Sequence, residues 1–306
     1  MLAAIVAFIS NTSGCYYVVR VALGFRQHAQ PLGGVAKATG EYKKGKKGRS
    51  TNENGGWTAQ SDIYWKHPLT AEFYHNVDKS SEKFADEAIL ADFLKKHTPH
   101  ILIDLGIGTG RELNWLRDVE TTRAVIGIDY SPHMLDKCRE IWRSYPKKLV
   151  LLLDDFEKLQ KLEKVLRREH GPAVFICLSN TLGNLPSERR KKAVAKIGTV
   201  ARPGDLVIFA LYKRVAGRKQ YTEEIKYYKK YYRTLETVVK AIYGIHATYK
   251  YDETGHDILV GTNEEPIFIS HRWAKGEIAA LFSSTCLRLE DILEGDYTFF
   301  SIGKKF

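Results

Sequence analysis

Closely spaced cysteine pairs, proline and long apolar runs are scarce in this chain. The lack of cysteine pairs argues against a zinc-binding protein and against a disulfide-stabilised one. The 306 residues include four cysteines, and none of them stands in a Cys-x-x-Cys pair: Cys15, Cys138, Cys177 and Cys286. Such spacing gives no pattern for a zinc site or for a disulfide framework, and it is typical of proteins kept reduced. We therefore expect no metal site and a cytoplasmic location.

Long apolar segments are also missing from the start of the chain. The run Leu2–Ile9 has eight residues, which is too short to span a bilayer. A secretory signal would require a basic residue before this run, and none precedes it. A second apolar patch over 15–25 is interrupted by Arg20. The pattern favours no membrane association, with a signal or anchor as the alternative.

Positive charge is concentrated at the beginning of the sequence. Of the net charge of +11, residues 1–57 carry +6, from eight Lys and Arg against two Glu. Residues 37–56 are rich in Lys, Gly, Ser and Asn, a composition that cannot bury enough surface to order itself. We predict a flexible or non-native basic extension over 1–57 and one domain over 58–306. RNA is a possible partner of the extension, but the domain itself carries little excess charge.

A glycine-rich turn follows the first predicted strand of the domain. Ile101–Leu105 is a short apolar run, typical of a buried strand in a parallel sheet, and it contains Asp104. Three glycines alternate over 106–110, and a helix-like segment begins at Arg111. A strand, a glycine turn and a helix bring backbone N–H groups close to a polar ligand. Arg111 occupies the place where a dinucleotide fingerprint requires its third glycine.

Two more predicted strands end in acidic residues. Asp129 ends the second strand, and an acid at this point can accept hydrogen bonds from both ribose hydroxyls of an adenosine. The third strand, Lys148–Leu153, is followed by Asp154, Asp155 and Phe156. An acid here can accept the adenine amine, and we favour Asp154 over Asp155. Phe156 either packs on the adenine ring or belongs to the core.

These features together resemble the class I methyltransferases that depend on S-adenosyl-L-methionine (SAM). Asp-x-Gly-x-Gly-x-Gly at 104–110 resembles their motif I, and Asp-x-Ser-x-x-Met-Leu at 129–135 resembles motif II. Residues 174–186 are similar to motif IV of small-molecule N-methyltransferases, and their Thr-Leu-Gly-Asn-Leu core is similar to the histidine-specific enzymes of ergothioneine synthesis. This loop differs from the Asn-Pro-Pro-Tyr loop of enzymes that methylate amides or exocyclic base amines.

The resemblance covers roughly residues 60–306 and implies a fold, a cofactor and an activity. The fold is α/β, a Rossmann-like doubly wound seven-stranded sheet with a reversed last strand and an insertion after strand five. The activity is methyl transfer from SAM. The implied cofactor-binding residues are Asp104, Gly106, Gly108, Gly110, Arg111, Asp129, Tyr130, Asp154, Asp155, Phe156 and Ser179. Asn180, in the motif IV loop, is the catalytic candidate, with a turn-forming role as the alternative.

Aromatic residues on both sides of the motifs predict a cover over the methyl acceptor. The cover would comprise the segment before the first strand and a Tyr- and Lys-rich lid over about 212–273. Candidates for contact with substrate are Tyr64, Tyr74, Asn184, Tyr221 and His271. The alternative is a turn-forming role for Asn184 and a structural role, such as packing, for the others. We expect a small amine or an amino-acid-like acceptor. RNA, a protein side chain, or a non-catalytic SAM-binding subunit are the alternatives.

Overall fold

A computed structural model describes residues 59–77, 86–214, 235–251, 257–261, 266–283 and 285–306. The predicted extension over 1–57 and the candidate Tyr221 lie outside these ranges, so both remain predictions. None of the helices in the described ranges is long and apolar enough to cross a membrane.

The centre of the fold is a seven-stranded sheet with the order β3-β2-β1-β4-β5-β10-β9. Its strands are β1 (Ile101–Leu105), β2 (Ala124–Asp129), β3 (Lys148–Leu153), β4 (Ala173–Cys177), β5 (Leu206–Tyr212), β9 (Leu287–Glu294) and β10 (Thr298–Lys305). The first five strands pair in parallel. Strand β10 is antiparallel to both β5 and β9. The predicted fold class, including the reversed last strand, is confirmed.

Helices cover both faces of this sheet. They are α3 (Glu87–His97), α4 (Leu113–Leu116), α5 (Pro132–Ile141), α6 (Gln160–Leu166), α7 (Ser187–Val200) and α9 (Lys275–Ser283). Successive strand residues point to opposite faces, so Leu102 packs with α3, α4 and α5. Ile101 and Ile103 pack on the other side with α6, α7 and α9. Because β1 is buried on both faces, its residues form the continuous apolar run seen in the sequence.

A third apolar cluster lies apart from the two that flank the sheet. It joins α1 (Ala59–Trp65), α2 (Pro68–Val77) and helical residues 235–243, here α8, to a small antiparallel sheet. The strands of that sheet are β6 (Thr248–Tyr251), β7 (Asp257–Gly261) and β8 (Pro266–His271), in the order β6-β7-β8. We call this assembly the cap. It combines the segment before β1 with part of the predicted insertion after β5.

Candidate active site

The three acidic strand ends lie along one edge of the sheet. Parallel pairing sets Asp104 of β1 beside Gly127 of β2, with Asp129 two residues further along β2. Asp129 in turn pairs with Leu153, the last residue of β3. The turn after β1 is held to β2, because the N–H groups of Gly106 and Ile107 both donate to the carbonyl of Ile128. Ligands of open α/β sheets bind at this edge.

The three glycines of the turn have positive φ angles of 87°, 54° and 79° at Gly106, Gly108 and Gly110. A Cβ on Gly106 would lie 2.6 Å from Thr181 Cγ2, and one on Gly110 would lie 2.7 Å from Cys138 Sγ. A Cβ on Gly108 would meet no described atom closer than 4.0 Å. The turn therefore needs glycine for close packing at its two ends. At its middle it leaves backbone open to an approaching ligand.

Asp129 is a buried carboxylate held by backbone donors. Its Oδ2 accepts from Gly108 N at 3.0 Å, and its Oδ1 accepts from Ser131 N at 2.8 Å. Burial raises the pKa of Asp129 to about 6, although the hydrogen bonds from Ser131 and Gly108 oppose the shift. Each oxygen of a carboxylate can accept more than one hydrogen bond. The group is therefore placed to accept further hydroxyl donors, as a ribose would supply.

Asp104 and its neighbours form a charged group beneath the turn. Asp104 is 1% exposed, and its Oδ2 has no hydrogen-bond partner in the described part of the chain. Arg111 Nη2 donates to Glu87 Oε1 at 2.7 Å, to Glu112 Oε1 at 2.5 Å and to Ser179 Oγ at 2.9 Å. Glu112 is buried as well. Glu112 was not among the predicted site residues, although it directly follows Arg111 in the sequence.

The two acids after β3 have different surroundings. Asp154 Oδ2 accepts from the N–H groups of Lys161 and Leu162 at 2.8 and 3.3 Å, so it caps the start of α6. Asp155 Oδ1 accepts from Glu157 N at 3.0 Å, and its Oδ2 lies 3.7 Å from Arg189 Nη2. Asp154 Oδ1 also accepts from Asp155 N at 3.0 Å. Each carboxylate oxygen can accept more than one hydrogen bond, so these contacts leave the choice between Asp154 and Asp155 a prediction.

Two aromatic candidates lie near the same edge. Phe156 packs against the core, and its Cζ would be 3.3 Å from a Cβ on Gly106, so its ring borders the turn. The Lys66 ammonium lies 5.2 Å from the centre of the Tyr130 ring, which brings α1 of the cap beside this residue. Burial raises the pKa of the Tyr130 hydroxyl, so it stays protonated at neutral pH.

The loop after β4 is strained and tightly bonded. Ser179 and Asn180 have φ angles of 53° and 56°, unusual for residues other than glycine. The Asn180 amide donates to Ser270 Oγ at 3.3 Å and to the carbonyl of His271 at 3.0 Å. Its Oδ1 accepts from Tyr212 N at 3.2 Å and from Trp273 Nε1 at 3.3 Å. The side chain therefore ties this loop to β5 and β8.

The site fits SAM at three points of this geometry. The buried, unpaired oxygen of Asp104 needs a donor, the open face of Gly108 admits a ligand, and Asp129 can accept hydroxyl groups. Residues 102–204 match the model of a family described as a methyltransferase domain. This part of the chain is a class I SAM-dependent methyltransferase domain. The chain is accordingly a methyltransferase enzyme, and its cofactor is SAM.

Solved structures of methyltransferases resemble the chain at low sequence identity. The CcbJ methyltransferase from Streptomyces caelestis is 16% identical over 82% of this chain and 98% of its own, with a TM-score of 0.48. SAM-bound CalS10, an amino pentose methyltransferase from Micromonospora echinaspora, is 15% identical over 74% and 93%, with a TM-score of 0.44. None of the curated proteins matches the chain closely enough to be counted as a relative.

Three of the predicted substrate residues make aromatic contacts in the described part of the chain. Tyr64 is completely buried and stacks on Phe268 at 5.3 Å between ring centres. Tyr74 stacks on Trp65 at 5.5 Å, so both tyrosines belong to the aromatic core of the cap. The His271 ring lies edge-on to Trp273 at 4.7 Å. These are packing contacts, and the substrate roles of the three residues remain predictions.

A cleft opens beside the motif IV loop of the methyltransferase domain. It is a shallow cleft, open to solvent, at the carboxyl ends of β4 and β5 and the start of β10. Its lining residues are Asp86, Glu87, Leu178, Ser179, Ala210, Tyr212, Thr298 and Phe300. The Asp86 carboxylate is hydrogen-bonded within the protein, since its two oxygens accept from Asp296 N and Tyr297 N. Glu87 and Ser179 connect the cleft to Arg111 and hence to the glycine turn.

Proposed function

We propose that this methyltransferase transfers the methyl group of SAM to the amine of a small, amino-acid-like molecule. The observation that carries the proposal is the cleft beside Ser179. It lies at the carboxyl ends of β4 and β5, where open α/β sheets bind their ligands, and the Arg111–Ser179 hydrogen bond joins it to the glycine turn. Its wall contains the carboxylate of Glu87 together with the apolar side chains of Leu178 and Phe300. A carboxylate in a narrow cleft attracts a cationic amine, while the apolar wall favours a compact ligand.

The cofactor is proposed to lie along the acidic edge of the sheet. Asp129 would accept the ribose hydroxyls. Asp155 would accept the adenine amine, since Asp154 Oδ2 already accepts from two N–H groups of α6 and Asp155 Oδ1 accepts from one N–H group. Phe156, whose ring borders Gly106, would pack on the adenosine. When bound, SAM supplies an electrophilic methyl group. The protein would contribute chiefly by holding donor and acceptor in line.

Asn180 is proposed to act as a positioning residue in this scheme. Its four hydrogen bonds hold the loop between β4 and the cleft to β5 and β8. Ser179, the neighbouring residue, lines the cleft and accepts from Arg111. A change at Asn180 would therefore move the wall of the cleft relative to the glycine turn.

Transfer of label from SAM tests the proposal. Cell extract separated into small molecules, RNA and protein is incubated with the full chain and SAM labelled in its methyl group. The label is expected in the small-molecule fraction, and in amine compounds within it. Label in RNA or protein alone would overturn the proposed acceptor. SAM binding without transfer to any fraction would indicate a non-catalytic SAM-binding subunit.

The RNA alternative has a separate test in the basic extension. Deletion of residues 1–57 removes a net charge of +6. If RNA were the acceptor, the shortened chain should still bind RNA with steep salt dependence. We expect instead that the deletion abolishes any RNA binding and leaves transfer to small molecules in place.

A further inference from the structure

Strand β3 forms one edge of the seven-stranded sheet. In the described part of the chain it pairs with β2 and with no other strand. Five apolar residues follow one another over Leu149–Leu153, and Leu153 is 42% exposed. Natural proteins protect a sheet edge with charged side chains or bulges, because its free backbone groups can pair with another strand. Between Leu149 and Leu153 there is no charged residue, and the pairing with β2 has no bulge.

The opposite edge of the sheet, strand β9, is protected in both ways. It carries the charged residues Arg288, Glu290, Asp291 and Glu294. Its pairing with β10 is also interrupted by a register shift after Ile302. Charges and irregular pairing prevent a further strand from adding at an edge. The two edges therefore differ, and β3 is the one that can accept another strand.

The hydrogen bonds of β3 show which of its backbone groups face outward. Asp154, directly after β3, donates its N–H to the carbonyl of Asp129 in β2. Along a strand, alternate residues direct their N–H and C=O groups to opposite sides, and the register between β2 and β3 is regular. Leu149, Leu151 and Leu153 therefore direct these groups away from β2. A strand added at this edge would bond to them.

Helix α6 runs along the same edge, antiparallel to β3. Near the start of the helix, Asp154 Oδ2 accepts from the N–H groups of Lys161 and Leu162. Beyond its end, Glu169 pairs with Lys148, the first residue of β3. These contacts join both ends of the strand to the two ends of the helix. The helix therefore flanks the edge on one face of the sheet.

The exposed surface of α6 and its flanking residues is basic. The segment 157–170 contains three acidic residues, and each is paired with a basic residue from outside the segment. These pairs are Glu157–Arg189, Glu163–Lys196 and Glu169–Lys148. The five Lys and Arg residues of the segment are all exposed, and they form no ion pair within the described ranges. They are Lys158, Lys161, Lys164, Arg167 and Arg168. A surface with one sign of charge attracts a partner of the opposite sign.

We propose that the β3 edge and the basic face of α6 together bind an extended acidic segment of a partner protein, which adds to the sheet as a further strand. The backbone of that segment would bond to Leu149, Leu151 and Leu153. Its side chains would alternate between the two faces of the sheet. Acidic residues at every second position would then face α6. This interaction goes beyond methyl transfer and does not depend on the identity of the acceptor.

Three other occupants fit this surface less well. Antiparallel pairing with the β3 strand of a second copy would set α6 beside the α6 of that copy, so their like charges would repel. The extension over 1–57 has a net charge of +6 and would be repelled as well. Nucleic acid would be attracted by charge, but a strand edge offers backbone groups that match a peptide. None of the exposed residues of 157–170 is Phe, Tyr or Trp, the side chains on which bases stack.

A model peptide tests the proposal on the full chain. The probe is a fluorescently labelled peptide of about eight alternating Glu and Val residues, slightly longer than a typical strand. The control peptide has Lys in place of Glu. Fluorescence anisotropy at low salt should show the Glu–Val peptide binding at least about tenfold more tightly than the Lys–Val peptide. Failure of the Glu–Val peptide to bind, or equal binding of both peptides, would overturn the proposal.

Charge reversal on α6 and its flank locates the binding surface. Lys164→Glu combined with Arg168→Glu should weaken binding of the Glu–Val peptide by about tenfold or more. Lys95→Glu combined with Lys96→Glu is the matched control, because it makes the same change in net charge at exposed positions of α3. It should leave the affinity within about twofold, since exposed charges that lie far apart are screened. Equal losses in the two double variants would assign the binding to net charge and overturn the role of α6.

Amide hydrogen exchange of the unaltered chain, followed by NMR, separates strand addition from charge attraction alone. The bound peptide should slow exchange at Leu149, Leu151 and Leu153, with little change at Val150 and Leu152, whose N–H groups face β2. Binding without this pattern would overturn the added strand. The same protection appearing without peptide, as the protein concentration rises, would identify a second copy as the occupant. RNA binding that is lost on charge reversal of α6, with no binding of the peptide, would assign the surface to nucleic acid.

Discussion

Gly108 and Gly110 both have left-handed backbone, but their surroundings differ, and a pair of substitutions should separate them. Gly108→Asp should abolish SAM binding with little change in melting temperature. Aspartate tolerates positive φ, and the side chain would enter the open space where no described atom lies within 4 Å except Gly106 O at 4.0 Å. Gly110→Ala should destabilise the fold by about 2–4 kcal/mol, from strain and from overpacking against Cys138 and Trp142.

Calorimetric SAM titration and thermal unfolding of both variants check this pair. The expected pattern is a folded Gly108→Asp protein that does not bind and a Gly110→Ala protein that melts earlier. Unchanged SAM affinity in Gly108→Asp would show that the cofactor does not approach the turn at its middle.

Asn180 offers a second test at this scale, because a structural and a catalytic role predict different losses. Asn180→Gly removes the side chain while allowing the observed φ of 56°. It removes the hydrogen bonds that Asn180 makes with Ser270 Oγ, Tyr212 N and the buried Trp273 Nε1. We expect a loss of about 2–4 kcal/mol in the free energy of unfolding, measured in urea.

Asn184→Ala is the matched control, since this side chain makes no hydrogen bond within the described ranges. It should unfold at nearly the same urea concentration as the unaltered chain. A variant at Asn180 that kept its stability but lost methyl transfer would favour the catalytic role expected from the sequence.

At the scale of elements, substitutions of Asp154 and Asp155 test which of the two acids after β3 accepts the adenine amine and which one stabilises the start of α6. Asp154→Ala should cost about 1 kcal/mol of stability, because it removes an acceptor for the first N–H groups of α6. It should leave SAM affinity almost unchanged. Asp155→Ala should do the reverse, weakening SAM binding by about 10-fold with the loss of one hydrogen bond.

Urea unfolding and SAM titration of the two variants provide the measurement, and each variant is the control for the other. Weaker SAM binding in Asp154→Ala with normal affinity in Asp155→Ala would restore the assignment originally favoured from the sequence.

The elements were more predictable than the roles of the side chains that they carry. Strands β1 and β4 are buried on both faces, so their apolar runs identified them directly. The glycine turn and Asp129 were predictable because a spacing of few residues determines their geometry. Asn180 was harder, because two of its partners lie 90 or more positions later in the sequence. Glu112 is bonded to the adjacent Arg111, but its contact with Ser179 spans 67 positions. Local pattern carries no information about such contacts.

At the scale of the whole molecule, the buried apolar residues of the described ranges form three separate clusters. Two of them sandwich the seven-stranded sheet and contain the residues of β1 and β4. The third holds the cap together through Tyr64, Phe73 and Phe268. A separate cluster can open without disturbing the others, so the cap is expected to exchange its amide hydrogens faster than the sheet.

Phe268→Ala should therefore loosen the cap selectively. Phe268 is buried and contacts Tyr64 and Trp65 at 5.3 and 5.7 Å between ring centres, which joins β8 to α1. Its truncation should remove about 3–5 kcal/mol from the local stability of the cap. Hydrogen exchange followed by mass spectrometry should show loss of protection over residues 59–77, while β1 and β4 keep theirs.

Phe306→Ala is the matched control, because this phenylalanine is 61% exposed and should change stability by less than about 0.5 kcal/mol. Uniform loss of protection in Phe268→Ala, reaching β1 and β4, would contradict the division and show that cap and sheet unfold as one unit. Selective loss would have a consequence for the active site. Lys66, which directly follows α1, lies over the Tyr130 ring, and Glu72 of α2 pairs with Lys137 of α5 at 2.8 Å. A loosened cap would then expose the cofactor edge, and SAM should dissociate faster from the variant.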